Sequence, residues 1–164
     1  MYTLRKIEKK DYSKIVEINK AVVQHTSQMD ENWLDELIGY ANYAILAEKD
    51  NEVVGFLISM GPNKPYVNAN YEWFSERYNN LLYIDRIAVD PKYIGKGIGS
   101  FLYKNLFELS KNEDFSKFAC EINLVPPNEP SILFHKKHGF KEVGTQWLND
   151  NTKKVSMQVA NNLL

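Results

Sequence analysis

The chain of 164 residues contains one cysteine, Cys120, so a disulfide within the chain and a cysteine-rich metal site are both excluded. Cys120 sits in the apolar run Phe118-Ala119-Cys120, where a thiol serves as a small buried hydrophobe. An excess of charge is also lacking. Twenty basic residues face twenty-one acidic ones, for a net charge of -1. That balance gives no support for nucleic acid or an anionic membrane as the main partner. No run approaches the roughly 18 apolar residues that a membrane span needs. Met1-Tyr2-Thr3-Leu4-Arg5 has no apolar core of the secretory kind, so a cytoplasmic location is expected. Repeats, low-complexity tracts and linkers are missing too. What remains is 44% hydrophobic and 25% charged, the composition of an ordinary globular domain. A single domain over residues 1–164 is expected, large enough to bury roughly two-thirds of its unfolded surface.

Glycine is scarce as well, at eight residues, but three of the eight fall within five positions, in Ile94-Gly95-Lys96-Gly97-Ile98-Gly99-Ser100. The stretch lies inside residues 84–111, which read as a strand, a glycine-rich turn and a helix. Glycines leave backbone N–H groups uncovered, and the following helix adds unpaired first-turn N–H groups and the positive end of its dipole. Such a bend suits an anion, above all a phosphate. The spacing is not that of a Walker A loop, which needs GxxxxGK and a following hydroxyl. It also departs from the dinucleotide pattern, because Gly95, Gly97 and Gly99 run GxGxG. The plainer alternative is a turn that joins a strand to a helix.

The rest of the chain alternates in type. Residues 3–8 read as a strand, and apolar spacing behind the N-cap Asp11 predicts a helix over 12–25. A second helix is expected over 32–40, with the polar segment 24–30 between them. Residues 44–49 and 52–60 form a hairpin about Asp50-Asn51. Residues 61–79 carry Tyr66, Tyr71, Trp73, Phe74 and Tyr78 in an expected loop, which could be a binding wall, an oligomer contact or a cover for the core. Strand 81–89 enters the glycine bend, and helix 97–111 turns Ile98, Phe101, Leu102, Leu106 and Leu109 inward. Strand 118–124 ends at Pro126-Pro127. A helix capped by Asn128 closes at Gly139, a hairpin over 141–148 and 153–159 follows, and residues 161–164 form a tail. This order predicts an α/β sandwich about a central mixed sheet.

Two blocks carry a family resemblance. Ile87-Ala88-Val89-Asp90-Pro91 followed by Ile94-x-x-Gly97-x-Gly99 resembles the acetyl-CoA signature (Arg/Gln)xxGx(Gly/Ala) of the GCN5-related N-acetyltransferase (GNAT) family, with Ile94 in place of the usual Arg or Gln. Asn128 through Phe140 resembles the second block, NxxAxxxYxxxGF, with His135 at the tyrosine position. Together they cover most of residues 81–143. The resemblance implies a single-domain sandwich with a central, mostly antiparallel mixed sheet and helices on both faces. It also implies acetyl-CoA as cosubstrate and a small-molecule or amino-acid-like amine as acceptor, and it is compatible with a homodimer. By the same resemblance the fourth and fifth strands splay apart. The pantetheine arm then bonds to backbone near Ile87, Ala88 and Val89, the pyrophosphate sits on Ile94 to Ser100, and Asn128 contacts the arm. Within that loop Lys96 and Ser100 are candidate pyrophosphate contacts beside Gly95, Gly97, Ile98 and Gly99. Segment 24–32 would overhang the acceptor.

Acyl transfer from a thioester to an amine needs a base and an acid on opposite sides of one carbonyl. An alkylamine of pKa about 10.4 is only about one part in two thousand neutral at pH 7, a penalty near 4.6 kcal/mol. The departing thiolate, with a pKa around 8.5, is best protonated as it leaves. His135 is the candidate acid, since an imidazole near pKa 6.5 can replace the family tyrosine. Asp85 is the first candidate base and Glu121 its competitor, each able to raise the other's pKa. Arg86 could instead lock Asp85 in a salt bridge. His25 is a further option on an uncertain segment, and His138 is expected at the surface. A CoA-binding module or sensor without turnover is the alternative reading.

Overall fold

The computed structural model describes residues 1–162; the last two residues of the expected tail lie outside it. Seven strands form one sheet in the order β1-β2-β3-β4-β5-β7-β6. They are β1 (Thr3–Lys6), β2 (Tyr43–Lys49), β3 (Glu52–Met60), β4 (Leu81–Val89), β5 (Lys117–Val125), β6 (Lys141–Leu148) and β7 (Lys153–Ala160). All neighbours pair antiparallel except β4 and β5, which are parallel. One face carries α1 (Tyr12–Ala21), α2 (Glu31–Tyr40) and α3 (Ala69–Ser75); the other carries α4 (Ile98–Ser110) and α5 (Glu129–Lys137). No helix among the described residues is long and apolar enough to cross a membrane.

Local chemistry accounts for most boundaries. Asp50 and Asn51 take φ of 52° and 65°, the left-handed pair that a two-residue hairpin demands. Asp30 caps α2 by accepting from the Trp33 N–H at 2.7 Å. In α4 the buried positions are Ile98, Leu102, Tyr103, Leu106 and Ser110, while Leu109, expected inside, is 48% exposed. The real stripe advances by four residues, so the buried place in the last turn falls to Ser110, whose hydroxyl bonds back to the Leu106 carbonyl at 2.8 Å.

Two segments differ from expectation. α1 stops at Ala21, not near 25. Asn19 Nδ2 binds the Ser27 carbonyl at 3.0 Å, and that contact folds the chain back on itself. Segment 61–79 is not all loop. Asn68 accepts from the N–H groups of Asn70 and Tyr71 at 3.0 Å each and so starts α3. Its aromatics serve the core: Tyr66, Tyr71 and Phe74 are buried, and Trp73 and Tyr78 pack against them.

Candidate active site

The site follows from a defect in β4. Arg86 pairs with Ile58 and Ile84 with Ser59, so Asp85 is the extra residue of a β-bulge. The bulge switches the side-chain phase. Leu81 and Tyr83 pack with the α1–α3 face, and beyond the bulge it is Ala88 that does so, while Ile87 and Val89 pack toward α4. Pairing of β4 with β5 is confined to Leu81–Tyr83 against Lys117–Ala119. Past that point the strands part. The gap is a cleft of about 970 Å³ that passes through the sheet. Residues 22 and 25–27, the start of α3, Asp85, Glu121 and Asn123 line it toward one face; the glycine bend, Tyr103, Asn128, Phe134 and His135 line it toward the other.

At the bend, Gly95 and Gly97 have φ of 79° and 82°, and an added Cβ would meet nothing within 4 Å. Backbone conformation, not space, requires glycine there. Gly99 is glycine for another reason: its Cβ would lie 2.8 Å from Phe134 Cζ, so it lets α5 approach α4. Among the described residues the N–H groups of Gly97, Ile98, Gly99 and Ser100 have no backbone acceptor, and the first capping bond is Phe101 N–H to the Gly97 carbonyl at 2.9 Å. Four free donors at the start of a 13-residue helix make an anion cradle. Ile94, also on the cleft, is 66% exposed. Lys96 lies off the cleft, its ammonium 4.8 Å from the centre of the Tyr93 ring. The Ser100 hydroxyl is engaged by His138 Nε2 at 2.9 Å, which leaves the Ser100 N–H for a ligand. His138 is therefore buried, contrary to expectation, because the last turn of α5 packs on α4. Asn128 caps α5 through Oδ1, accepting from Ser131 N–H at 3.3 Å, and still faces the cleft. Capping thus occupies only one of its two amide atoms.

The two carboxylates are not equivalent. Asp85 is in a buried salt bridge with Arg86 Nε at 2.7 Å and also accepts from the Tyr66 hydroxyl. Both of its oxygens are thus engaged within the protein, although the sequence put Asp85 ahead of Glu121 as the candidate base. Glu121 accepts from the Tyr83 hydroxyl at 2.7 Å, lies by the Asn70 side chain, and retains some accessible surface because it opens onto the cleft. Burial pushes its carboxyl up from 4.5 to about 7; the Tyr83 bond opposes this, and the nearby Asp85 charge adds to it. The polar partner Asn70, in the expected loop, was not foreseen, and its position two residues after a capping asparagine was the available signal.

His135 is 4% exposed. The Ser131 carbonyl, which can only accept, lies 2.7 Å from Nδ1, so Nδ1 carries the proton and Nε2 accepts from the Tyr103 hydroxyl at 2.6 Å. Burial lowers the imidazole to about 4, and it is neutral near pH 7. A free, half-protonated imidazole aimed at a leaving sulfur is therefore not what the fold presents. Tyr103, which lines the same cleft, was missed because an aromatic on a helix stripe reads as core.

The chain matches the model of the acetyltransferase (GNAT) family over residues 1–140 and belongs to that family. It is similar to a phosphinothricin N-acetyltransferase of Streptomyces coelicolor, with 41% identity over 59 residues, covering 36% of this chain and 33% of that protein. It is similar also to an uncharacterized N-acetyltransferase of Methanocaldococcus jannaschii, with 31% identity over 108 residues, covering 63% and 46%. The chain thus spans less than half the length of either relative. Among solved structures, Ard1 from Thermoplasma volcanium superposes with a TM-score of 0.80 at 18% identity, covering 99% of both chains. The ribosomal-protein-S18-alanine N-acetyltransferase of Escherichia coli gives 0.74 at 16%, covering 100% of this chain and 96% of that one. At such identities the agreement is one of fold.

Proposed function

We propose that the chain is an acetyl-CoA-dependent N-acetyltransferase acting on a small-molecule or amino-acid-like amine, with Glu121 as general base. The observation that carries this reading is one buried carboxylate, pushed to about 7, in the same cleft as the open amides of the glycine bend. The bend holds the pyrophosphate through the main-chain N–H groups of Gly97 to Ser100. Asn128 and the unpaired edge of β4 at Ile87, Ala88 and Val89 take the pantetheine arm along the gap. The acceptor enters from the opposite face, between residues 22–27 and α3. A carboxylate at its ordinary 4.5 would be about six pK units weaker than an alkylamine as a base, and at 7 the mismatch falls to about three. The cosubstrate supplies the activated acyl group.

For the leaving sulfur, the Tyr103–His135 pair replaces the lone histidine. Neutral His135 holds the phenol through Nε2; as the C–S bond breaks the Tyr103 hydroxyl turns its proton to the departing thiolate, and the phenolate regains a proton from solvent as CoA leaves. Family membership and the named relatives support acetyl transfer, and the phosphinothricin relative makes an amino-acid-like acceptor the first to try. The test is release of free thiol from acetyl-CoA against a panel of amines that includes phosphinothricin and the common amino acids. Turnover that drops at least about a hundredfold in Glu121→Gln is expected. Tight coenzyme binding with no thiol released for any amine would instead favour a non-catalytic CoA-binding module.

A further inference from the structure

Residues 22–28 wall the acceptor side of the cleft as irregular chain, yet side chains from three elements hold them. Arg86, on β4, donates from Nη1 to Asn19 Oδ1 at 3.0 Å and to the Ser27 carbonyl at 3.3 Å, and from Nη2 to Ser27 Oγ at 2.9 Å. Asn19, on α1, is 1% exposed; it donates to the same Ser27 carbonyl and accepts from the Thr26 hydroxyl at 3.3 Å. On β5, Asn123 Nδ2 donates to the Gln24 carbonyl at 3.2 Å. The segment is thus fastened to β4 at Ser27 and to β5 at Gln24, and it bridges the two strands where they part. The remaining arm of the same guanidinium, Nε, lies 2.7 Å from Asp85 Oδ2.

We propose that Arg86 is a positioning residue for the proton transfer: one guanidinium fastens the acceptor wall and also shields Glu121 from the charge of Asp85. The proposal rests on the reading of Glu121 as base. Only a planar fork with donors on several sides can serve Asp85, Asn19 and Ser27 together; an ammonium could hold the charge but not all three directions. The groups acting on Glu121 come from several elements: Tyr83 and Asp85 on β4, Asn70 on α3, Tyr66 before it, Tyr103 on α4 and Cys120 beside it on β5. His25 and Lys153 line the same cleft. Burial pushes the phenols and the thiol up, so they stay neutral near pH 7, and the charge of the Asp85–Arg86 pair is the one that a single substitution unbalances.

The experiment follows the Glu121 side-chain carboxyl by carbon NMR against pH in the full chain with coenzyme A present, assigned by its disappearance in Glu121→Gln. Amide exchange of residues 22–28 is measured alongside. Arg86→Gln is expected to raise the Glu121 midpoint by about one pH unit and to speed exchange at Gln24 to Ser27 by about tenfold, with α4 unchanged. Arg86→Lys should speed the exchange and leave the midpoint in place. The double variant Asp85→Asn/Arg86→Gln, which removes both charges and leaves no buried ion unpaired, should speed the exchange without raising the midpoint. If Arg86→Gln does not fold, the other two decide the matter, and wild-type exchange in both overturns the proposal. An unmoved midpoint in a folded Arg86→Gln overturns it too. A wild-type midpoint near 4.5 would sink the base assignment itself, whatever Arg86 does.

Discussion

Replacing Glu121 by glutamine should stabilise the protein at pH 8 and change it little at pH 5. The folded carboxyl stands at about 7 against 4.5 for the free group. Below 4.5 both folded and unfolded chains carry the proton. As the pH rises from there to 7 the unfolded chain ionises while the folded one keeps its proton, so stability falls by about 1.4 kcal/mol per unit, roughly 3 kcal/mol in all. Above 7 the loss is complete. Glutamine does not ionise and can still accept from the Tyr83 hydroxyl; the weaker bond returns about 1 kcal/mol. The net gain at pH 8 is about 2 kcal/mol, near 1 M in a urea midpoint for a domain of this size. Urea titrations followed by tryptophan fluorescence at the two pH values, with unchanged slope, measure it. An equal effect at both pH values would refute the buried, proton-holding carboxylate and remove the support for Glu121 as base.

Other consequences are simpler. Gly99→Ala drives a methyl into Phe134 and should cost about 1–3 kcal/mol, with part regained by Phe134→Leu; thermal unfolding of the single and double variants checks it. Gly97→Ala has room for its methyl but must hold φ of 82°, so about 1–2 kcal/mol of strain and weaker coenzyme A binding by calorimetry are expected. Asp11 is held below its ordinary 3.8 by the Arg5 guanidinium at 2.7 Å, a stabilisation present above 3.8 and lost as the pH falls through the lower folded value. Asp11→Asn should therefore cost about 1–3 kcal/mol at pH 7 and flatten the acid side of the stability profile. Tyr103→Phe should slow thiol release about as much as His135→Phe, and the double variant no more than either, because the two act as a pair.

The glycine bend was legible because backbone needs write directly into residue type: left-handed φ at Gly95 and Gly97 calls for glycine, and Asn128 and Asp50-Asn51 announce a cap and a turn, whereas the cap at Asn68 was hidden in a segment read as loop. Even there one glycine has a second cause, since the close ring of Phe134 leaves no room for a side chain at Gly99. The assignment of roles among titratable groups was not legible. Asp85 and Glu121 are both carboxylates on strands beside a cleft, and what separates them is which oxygen Arg86 and Tyr66 reach. His135 and His138 look alike one helical turn apart, and which hydroxyl each meets, Tyr103 or Ser100, is set by another helix.

By itself the sequence determined where the glycine bend and the hairpin turns fall and most of the elements outside residues 61–79, because those depend on φ preferences, capping and periodicity within a few residues. Tertiary structure alone decided which carboxylate is ion-paired, that both helical histidines are buried and how segment 22–28 is fastened, because side-chain position depends on burial and on partners from distant strands. The bulge at Asp85 joins the two: one extra residue in β4, invisible to alternation, switches the side-chain phase just beyond the last pairing of β4 with β5.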